Sequence, residues 1–146
     1  MLFRSHAGEW SGPENVWATL EHLRPERIGH GVRSIDDLRL VDHLAGLRIP
    51  LEVCPTSNVA TGAYASLADH PFPRLRDAGV VVTLNSDDPA MFGSWLSDEY
   101  RVARDAFGYD DAVLADIAAA GVRASFADDT DKRLMLRDIE AWLADG

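Results

Sequence analysis

Short apolar segments alternate with longer amphipathic segments along this chain, and that alternation constrains its fold more than any other feature. The longer segments carry apolar residues at helical spacing, as at Val16, Leu20 and Leu23. Strands that alternate with helices form βαβ units, in which the strands lie parallel. We therefore expect a parallel α/β sheet with crossover helices. Its predicted strands cover residues 1–3, 27–30, 49–54 and 80–84.

The predicted helices lie between these strands and fill the C-terminal part of the chain. They cover residues 13–23, 35–45, 71–78, 95–107, 110–120 and 130–143. Gly108 and Gly121 are expected to separate the last three helices, because glycine disfavours a helix interior. Pro55 ends the third strand, and residues 55–58 are expected to form a loop beyond it.

Composition limits the classes of protein to consider. With 146 residues and 47% hydrophobic content, the chain fits a single soluble domain. Its formal net charge of −10 argues against nonspecific binding to nucleic acid or to an anionic membrane. No apolar run has the length of a membrane span or signal peptide. The single cysteine excludes an intramolecular disulfide and favours a reducing, cytoplasmic location.

Acidic residues follow the most apolar of the predicted strands. Residues 80–84 read Val-Val-Val-Thr-Leu, and Asp87, Asp88 and Pro89 come shortly after them. An Asp-Pro turn would explain this segment by itself. However, ligands of parallel α/β sheets bind at the carboxyl ends of the strands, where these carboxylates are expected.

Two other strand ends carry histidine. His6 is expected just beyond the first strand, three residues before Glu9, and His30 ends the second strand. A lone His and Glu at that spacing is common by chance. Gly29 and Gly31 flank His30, and small residues on both sides let a ligand approach closely. Strand ends carrying His, Glu and Asp together are typical of a metal-assisted active site.

The residue types indicate separate chemical roles. Asp87 would ligate a divalent cation, and Asp88 would exchange a hydrogen bond with a substrate. Glu9 would act as a general acid and base if burial raises its pKa.

Other reactive or aromatic residues fit structural roles better. Cys54 ends an apolar strand, where a small core residue is favoured over a nucleophile or zinc ligand. His22, His43 and His70 lie in or beside helical segments and are interpreted as surface or helix-packing residues. Trp10 fits a pocket wall and a packing role equally well.

Four ordered segments of the chain resemble motifs of the adenosine deaminase family. They are H-A-G-E at 6–9, R-I-G-H-G at 27–31, L-E-V-C-P-T-S-N at 51–58 and L-N-S-D-D-P at 84–89. The resemblance runs from about residue 3 to the C-terminus. It implies a zinc-dependent TIM (β/α)₈ barrel that hydrolyses the amino group of adenosine to give inosine and ammonia.

Through this resemblance, each motif receives a role. His6 and Asp87 would be ligands of Zn²⁺, and Glu9 would donate a proton to the purine ring. His30 would position and polarise the attacking water, and Asp88 would hydrogen-bond the purine. The deaminases used in base editing instead need a Pro-Cys-x-x-Cys pair for zinc, which a chain with one cysteine cannot supply.

The chain also departs from the family pattern. The family's first strand carries a His-x-His pair with two more zinc ligands, and this sequence has no such pair. A complete (β/α)₈ barrel needs roughly 250 residues. Residues 1–146 are therefore interpreted as one partial barrel domain, the C-terminal half with strands five to eight. Exposed strand edges and apolar faces would then favour self-association or a complementing half-barrel.

Substrate remains open between several adenine compounds. Family adenosine deaminases carry Gly-His-Gly where adenine deaminases more often carry Asp-His-Gly, so Gly29 favours a purine nucleoside. Aminodeoxyfutalosine deaminases resemble this segment nearly as well. A different alternative is a non-catalytic half-barrel that binds a partner half.

Overall fold

A computed structural model describes residues 3–145 of the chain, in which four parallel strands form one sheet. The strands pair in the order β1 (Arg4–Ala7), β2 (Arg27–His30), β3 (Leu51–Val53) and β4 (Val82–Leu84). The helices are α1 (Pro13–Leu23), α2 (Leu38–Leu47), α3 (Pro55–Ala60), α4 (Phe72–Asp77), α5 (Pro89–Phe92), α6 (Leu96–Phe107), α7 (Asp111–Ala124) and α8 (Asp129–Asp145). Single 3₁₀ turns cover Val32–Asp36 and Leu67–Asp69. The predicted parallel α/β fold class is confirmed.

Some predicted boundaries are wrong, each for a local reason. Of the first predicted strand, Met1 and Leu2 lie outside the described residues, and the observed strand contains His6 instead of ending before it. Residues 55–58 open helix α3 instead of a loop, because Pro55 occupies the first helical turn, where its missing N–H is not needed. Gly121 lies inside α7, whose buried face compensates for the glycine.

One face of the sheet is apolar and packs against the helices. Strand register and alternation place on this face Ile28, Leu51, Val53, Val82 and Leu84, all buried. They join α1, α2, α4 and α7 in one core that includes Val16, Leu40, Leu44, Phe72 and Ile117. Burial of this face contributes about 25 cal/mol for each Å² of apolar surface and orients the strands.

The opposite face of the sheet is polar. Arg4, Arg27 and Glu52 share it, because Arg4 pairs with Arg27 and Glu52 pairs with Gly29, two residues beyond Arg27 on the same face. The Glu52 carboxylate lies 2.7 Å from Arg4 Nε and 3.0 Å from Arg27 Nε. The expected exposed apolar surface is therefore not found on this face of the sheet. Large exposed apolar side chains lie instead on helices and loops, as at Trp10, Leu38 and Trp142.

Within residues 3–145, no helix combines the length and the apolar character that crossing a bilayer requires.

Gly31 follows the strand end at His30 and cannot carry a side chain without strain. Its φ is +67°, and a Cβ atom there would lie 2.6 Å from Cδ2 of the buried Leu51. Gly62 has a similar φ of +77° with open space around it, which makes it a matched control. Gly62→Ala should lower the free energy of unfolding by about 1–2 kcal/mol, because alanine is strained in this backbone conformation.

Gly31→Ala should cost a further ~1–3 kcal/mol because it overpacks the core. Urea unfolding of both variants measures the difference in the free energy of unfolding. Equal losses in the two variants would show that the contact with Leu51 relaxes freely.

Candidate active site at the carboxyl edge of the sheet

Backbone strain marks two residues at the carboxyl edge of the sheet. Four non-glycine residues of the described chain have positive φ: Arg24, His30, Arg48 and Asp87. Arg24 and Arg48 are C-caps of helices, where the left-handed conformation is common. His30, with φ of 63°, and Asp87, with φ of 57°, end or follow strands instead. Strain of this kind costs about 1–3 kcal/mol and concentrates at functional sites.

Glu9 and His30 meet over a shared asparagine. Asn58 Nδ2 donates to Glu9 Oε1 at 3.0 Å and lies 3.2 Å from His30 Nδ1. His30 Nδ1 is also 3.5 Å from Glu9 Oε1. Asn58 and His30 are buried, and the Glu9 side chain is 20% exposed. Asn58 therefore holds the Glu9 carboxylate and the His30 imidazole close together, where the adjacent strands β1 and β2 end.

The electrostatics of His30 favour its neutral form. Burial lowers the pKa of His30, because an imidazolium ion loses hydration there. The carboxylates of Glu9 and Asp87 act in the opposite direction but do not overcome this effect.

Asp87 reaches the same place from β4. Its Oδ2 accepts a hydrogen bond from the Ser57 hydroxyl at 2.6 Å, which ties the loop after β4 to helix α3. One ligand atom each from His30, Cys54 and Asp87 lies within 4.8 Å of the others. Cys54 is buried as expected, and desolvation together with the neighbouring carboxylates raises the pKa of its thiol. A thiol held in its protonated form is a poor metal ligand.

His6 lies on the polar face beside this group. Its ring centroid is 5.3 Å from that of His30, and a Cβ at Gly29 would lie 3.1 Å from the His6 ring. Gly29 therefore provides the space that His6 occupies. Arg4 Nη2 is 3.2 Å from His6 Nε2, and because a guanidinium only donates, this nitrogen offers its lone pair.

Asp88 has a structural role that sequence reasoning did not assign to it. Its Oδ1 accepts from the backbone N–H of Met91 at 3.1 Å and caps helix α5. Such caps contribute about 1 kcal/mol. A hydrogen bond from Asp88 to a substrate stays a prediction.

Several residues that build the site were missed. Asn58 and Ser57 lie in the quoted P-T-S-N segment, but no role was assigned to them; as polar residues after a strand end they were detectable. Glu99 is fully buried and accepts from Thr56 N at 3.2 Å and from the Ser94 hydroxyl at 2.6 Å, joining α6 to α3. Nothing in the local sequence distinguishes Glu99 from an exposed helix residue.

His70 is buried, which excludes the surface role and agrees with the packing role, the two interpretations offered for it. Its Nε2 lies 3.2 Å from Asn58 Oδ1, and its ring stacks on Phe107 and packs at a tilt against Tyr64. His22 and His43 are exposed, as expected, and His43 contacts the Trp17 ring.

Of the two residues expected to hold zinc, Asp87 belongs to the group of neighbouring ligand atoms with His30 and Cys54, and His6 does not. His6 offers an imidazole nitrogen and Asp87 a carboxylate oxygen, both of which are common zinc ligands. Catalytic zinc sites use three protein ligands, so these two residues supply an incomplete shell. A cavity of 280 Å³ lies beside Asp87. Its other lining residues are Arg4, His30, Glu52, Cys54, Asn85, Ser86 and Leu96. Larger hollows of 420 and 590 Å³ lie away from these residues and carry none of this chemistry.

Comparisons with known proteins identify relatives of this chain. The chain is 53% identical over 143 residues to an aminodeoxyfutalosine deaminase of Streptomyces coelicolor, covering 95% of this chain and 37% of that protein. It is 46% identical over 134 residues to an adenine deaminase of Rhizobium johnstonii, covering 92% of this chain and 42% of that protein. The chain thus spans about 40% of the length of the curated relatives it matches.

Solved structures match over a similar portion. The crystal structure of an adenine deaminase from Arthrobacter aurescens superposes with a TM-score of 0.94 at 37% identity, covering 97% of this chain and 43% of that one. An amidohydrolase from Burkholderia ambifaria, solved with bound zinc, shares the fold with a TM-score of 0.84 at 24% identity, covering 97% of this chain and 41% of that one.

The four parallel strands and their helices therefore correspond to about 40% of these solved structures. The adenosine deaminase family model matches residues 1–142. The chain belongs to the adenosine deaminase family, whose members include hydrolases that deaminate cyclic amidines. The relatives named above are aminodeoxyfutalosine and adenine deaminases, so the preference for adenosine drawn from Gly29 receives less support than its alternatives.

The buried His70 should make the stability of the chain pH-dependent. Burial lowers the pKa of His70 to about 4, and the Arg74 charge acts in the same direction. Between the ordinary pKa of about 6.5 and about 4, only the unfolded chain takes up this proton. The stability is therefore full above pH ~6.5 and falls as the pH drops toward 4, by up to about 3 kcal/mol.

Urea unfolding of the chain and of His70→Gln across this range isolates the contribution of His70. The variant should have a shallower pH dependence, while His43→Phe, which changes an exposed histidine, should keep the original slope. Identical slopes for all three proteins would contradict a buried neutral His70.

Proposed function

We propose that this chain supplies much of the active site of a zinc-dependent deaminase that hydrolyses the exocyclic amino group of an adenine-containing compound. Among such compounds, we propose aminodeoxyfutalosine first, because the S. coelicolor relative bearing that activity shares 53% identity with the chain. Adenine is the second choice, supported by the deaminases of Rhizobium and Arthrobacter.

The convergence of Glu9, His30 and Asp87 from three separate segments carries this proposal. Glu9 Oε1 lies 3.5 Å from His30 Nδ1, and the Glu9 side chain is 20% exposed, so its carboxyl group is placed to pass a proton to a ring nitrogen. A ring nitrogen of His30 lies 3.5 Å from the Glu9 carboxylate, and His30 and Asp87 have ligand atoms within 4.8 Å of each other, so His30 can orient a water molecule there by a hydrogen bond. Asp88 follows directly and is proposed to contact the purine.

Zinc would be held by His6 and Asp87 from this chain and by further ligands from outside it. When bound, the ion supplies Lewis acidity, which makes water a stronger nucleophile at neutral pH. The protein's own residues then bind the purine, orient the water and move the proton. The chain alone offers too few ligands and is expected to be inactive.

Deamination should appear when the polar sheet face is covered by the remaining portion of a family barrel. We would co-express the chain with that portion of the S. coelicolor relative, add zinc, and measure ammonia release from aminodeoxyfutalosine, adenine and adenosine. Glu9→Gln should keep zinc and purine binding and lower turnover about 100- to 10,000-fold, because it cannot transfer the proton.

We expect ammonia release from aminodeoxyfutalosine only when the chain and the remaining portion of the barrel are both present. Near-normal turnover by the Gln variant would exclude Glu9 as the proton-transfer group. An assembled barrel that neither binds zinc nor releases ammonia from any of the three compounds would favour the non-catalytic alternative.

The two adjacent aspartates should separate in their effects. Asp87→Ala should lower zinc occupancy, because it removes a ligand oxygen. Asp88→Asn should leave zinc in place and preserve the cap of α5, since asparagine caps helices as well as aspartate. It should weaken use of the substrate about 10- to 150-fold, corresponding to ~1.5–3 kcal/mol for a hydrogen bond to a charged group.

Metal analysis and kcat/KM of the assembled variants measure both effects. Asp77→Asn, at an exposed helix end outside the site, is the control for loss of an aspartate charge. Equal loss of zinc in the Asp87 and Asp88 variants would show that the pair acts as one unit.

A further inference from the structure

We infer that Asn58 and His70 are positioning residues that hold His30 as the neutral tautomer with its proton on Nε2. This inference gives a role to a buried series of hydrogen-bonded polar residues that the proposed reaction does not otherwise use. Its catalytic consequence depends on the proposed function, whereas the tautomer itself does not.

The chain of hydrogen bonds begins at a donor that cannot change. The backbone N–H of Phe72 donates to His70 Nδ1 at 3.2 Å. A backbone amide only donates, so His70 Nδ1 is an acceptor and a neutral His70 carries its proton on Nε2. His70 stays neutral at physiological pH, because burial lowers its pKa to about 4.

The second step fixes the orientation of Asn58. The Nε2–H of His70 donates to Asn58 Oδ1, 3.2 Å away. This directs the Asn58 amide group toward Glu9 and His30. If the amide group were flipped, its oxygen would face the Glu9 carboxylate and its N–H₂ group would face the His70 N–H. Both contacts would be repulsive, so the network excludes this orientation.

The third step reaches the candidate catalytic pair. The two hydrogens of Asn58 Nδ2 serve Glu9 Oε1 at 3.0 Å and His30 Nδ1 at 3.2 Å. Because Asn58 donates, His30 Nδ1 accepts, and the proton of a neutral His30 lies on Nε2. Each hydrogen-bonding role in this series is set by the one before it.

Packing keeps the network in place. Asn58 and His70 are each nearly or fully buried, and the His70 ring lies 5.2 Å from Tyr64 and 6.1 Å from Phe107, centroid to centroid. Asn58 also lies on helix α3, which starts directly after β3 and is tied to Asp87 through Ser57. A ring and an amide with so little freedom favour one arrangement of protons.

The consequence concerns which residue takes a proton. With Nδ1 engaged by Asn58, Nε2 is the nitrogen that His30 offers to the cavity, and there it carries hydrogen. His30 then orients an oxygen atom by donating a hydrogen bond to it from Nε2, and His30 does not accept a proton from that oxygen. Proton transfer in the proposed reaction is left to Glu9, whose carboxylate the same asparagine orients.

Nuclear magnetic resonance of the chain labelled with ¹⁵N at histidine tests the tautomer directly. Two-bond ¹H–¹⁵N correlations at about pH 8, above the ordinary histidine pKa of about 6.5, distinguish protonated from unprotonated ring nitrogens. His30 and His70 should both carry hydrogen on Nε2. Hydrogen on Nδ1 of His30 in the unchanged chain would overturn the inference without any variant.

Asn58→Asp is the sharper perturbation, because it replaces the donor with a carboxylate. His30 should then gain hydrogen on Nδ1. His70→Phe keeps an aromatic ring but removes the donor to Asn58, and it should give a mixture of His30 tautomers. Tyr64→Phe is the matched control, since it keeps the ring against His70 and removes only a hydroxyl that bonds to Val32 O.

Kinetics of the barrel assembled with the remaining family portion provides a second readout. Loss of a residue that orients a catalytic group typically lowers activity about 10- to 100-fold. Asn58→Asp should lower kcat by that amount with little change in KM, and Tyr64→Phe should leave both unchanged. An unchanged kcat in Asn58→Asp, together with a switched tautomer, would show that the tautomer does not matter to catalysis. Absence of any deamination would reject the proposed function and leave the resonance result to decide the tautomer.

Discussion

Parallel pairing of four short strands is the interaction on which the rest of the structure depends. Each strand contributes only three or four residues, yet the register places the segments that contain Glu9, Asn58 and Asp87 at one edge of the sheet. These residues are far apart in the sequence and share no local interaction before the sheet forms. The apolar face of the sheet supplies the stability. The strand ends take no part in that packing and can therefore carry strained backbone and charged side chains.

The sequence predicted the fold class and the neighbourhood of the site, because both follow from strong local patterns. Alternating strands and helices imply parallel pairing, and parallel pairing implies a common edge. The boundary errors arose where tertiary context decides, as at Gly121 inside α7. His6 was expected beyond its strand because the apolar run of the sequence ends at Phe3; the observed strand has a polar face that accepts His6.

The residues that hold the site together were harder to predict than the residues proposed to react. Asn58 and His70 are 12 positions apart and meet only after α3 and the following turn have packed. Glu99 looks like any acidic residue near a helix start, yet it is fully buried between two elements. Periodicity and motif spacing do not encode such contacts, since each depends on how two elements approach in space.

The ion pairs of Glu52 have a consequence for any segment that covers the polar sheet face. Two guanidinium groups share one carboxylate there, so these three side chains together carry one net positive charge. Covering this face of the sheet with an apolar surface would bury that charge without a partner, at a cost of several kcal/mol. A well-matched covering surface would bring a carboxylate of its own. Recognition between the two surfaces would then be selective and sensitive to ionic strength, unlike the indiscriminate adhesion of bare apolar faces.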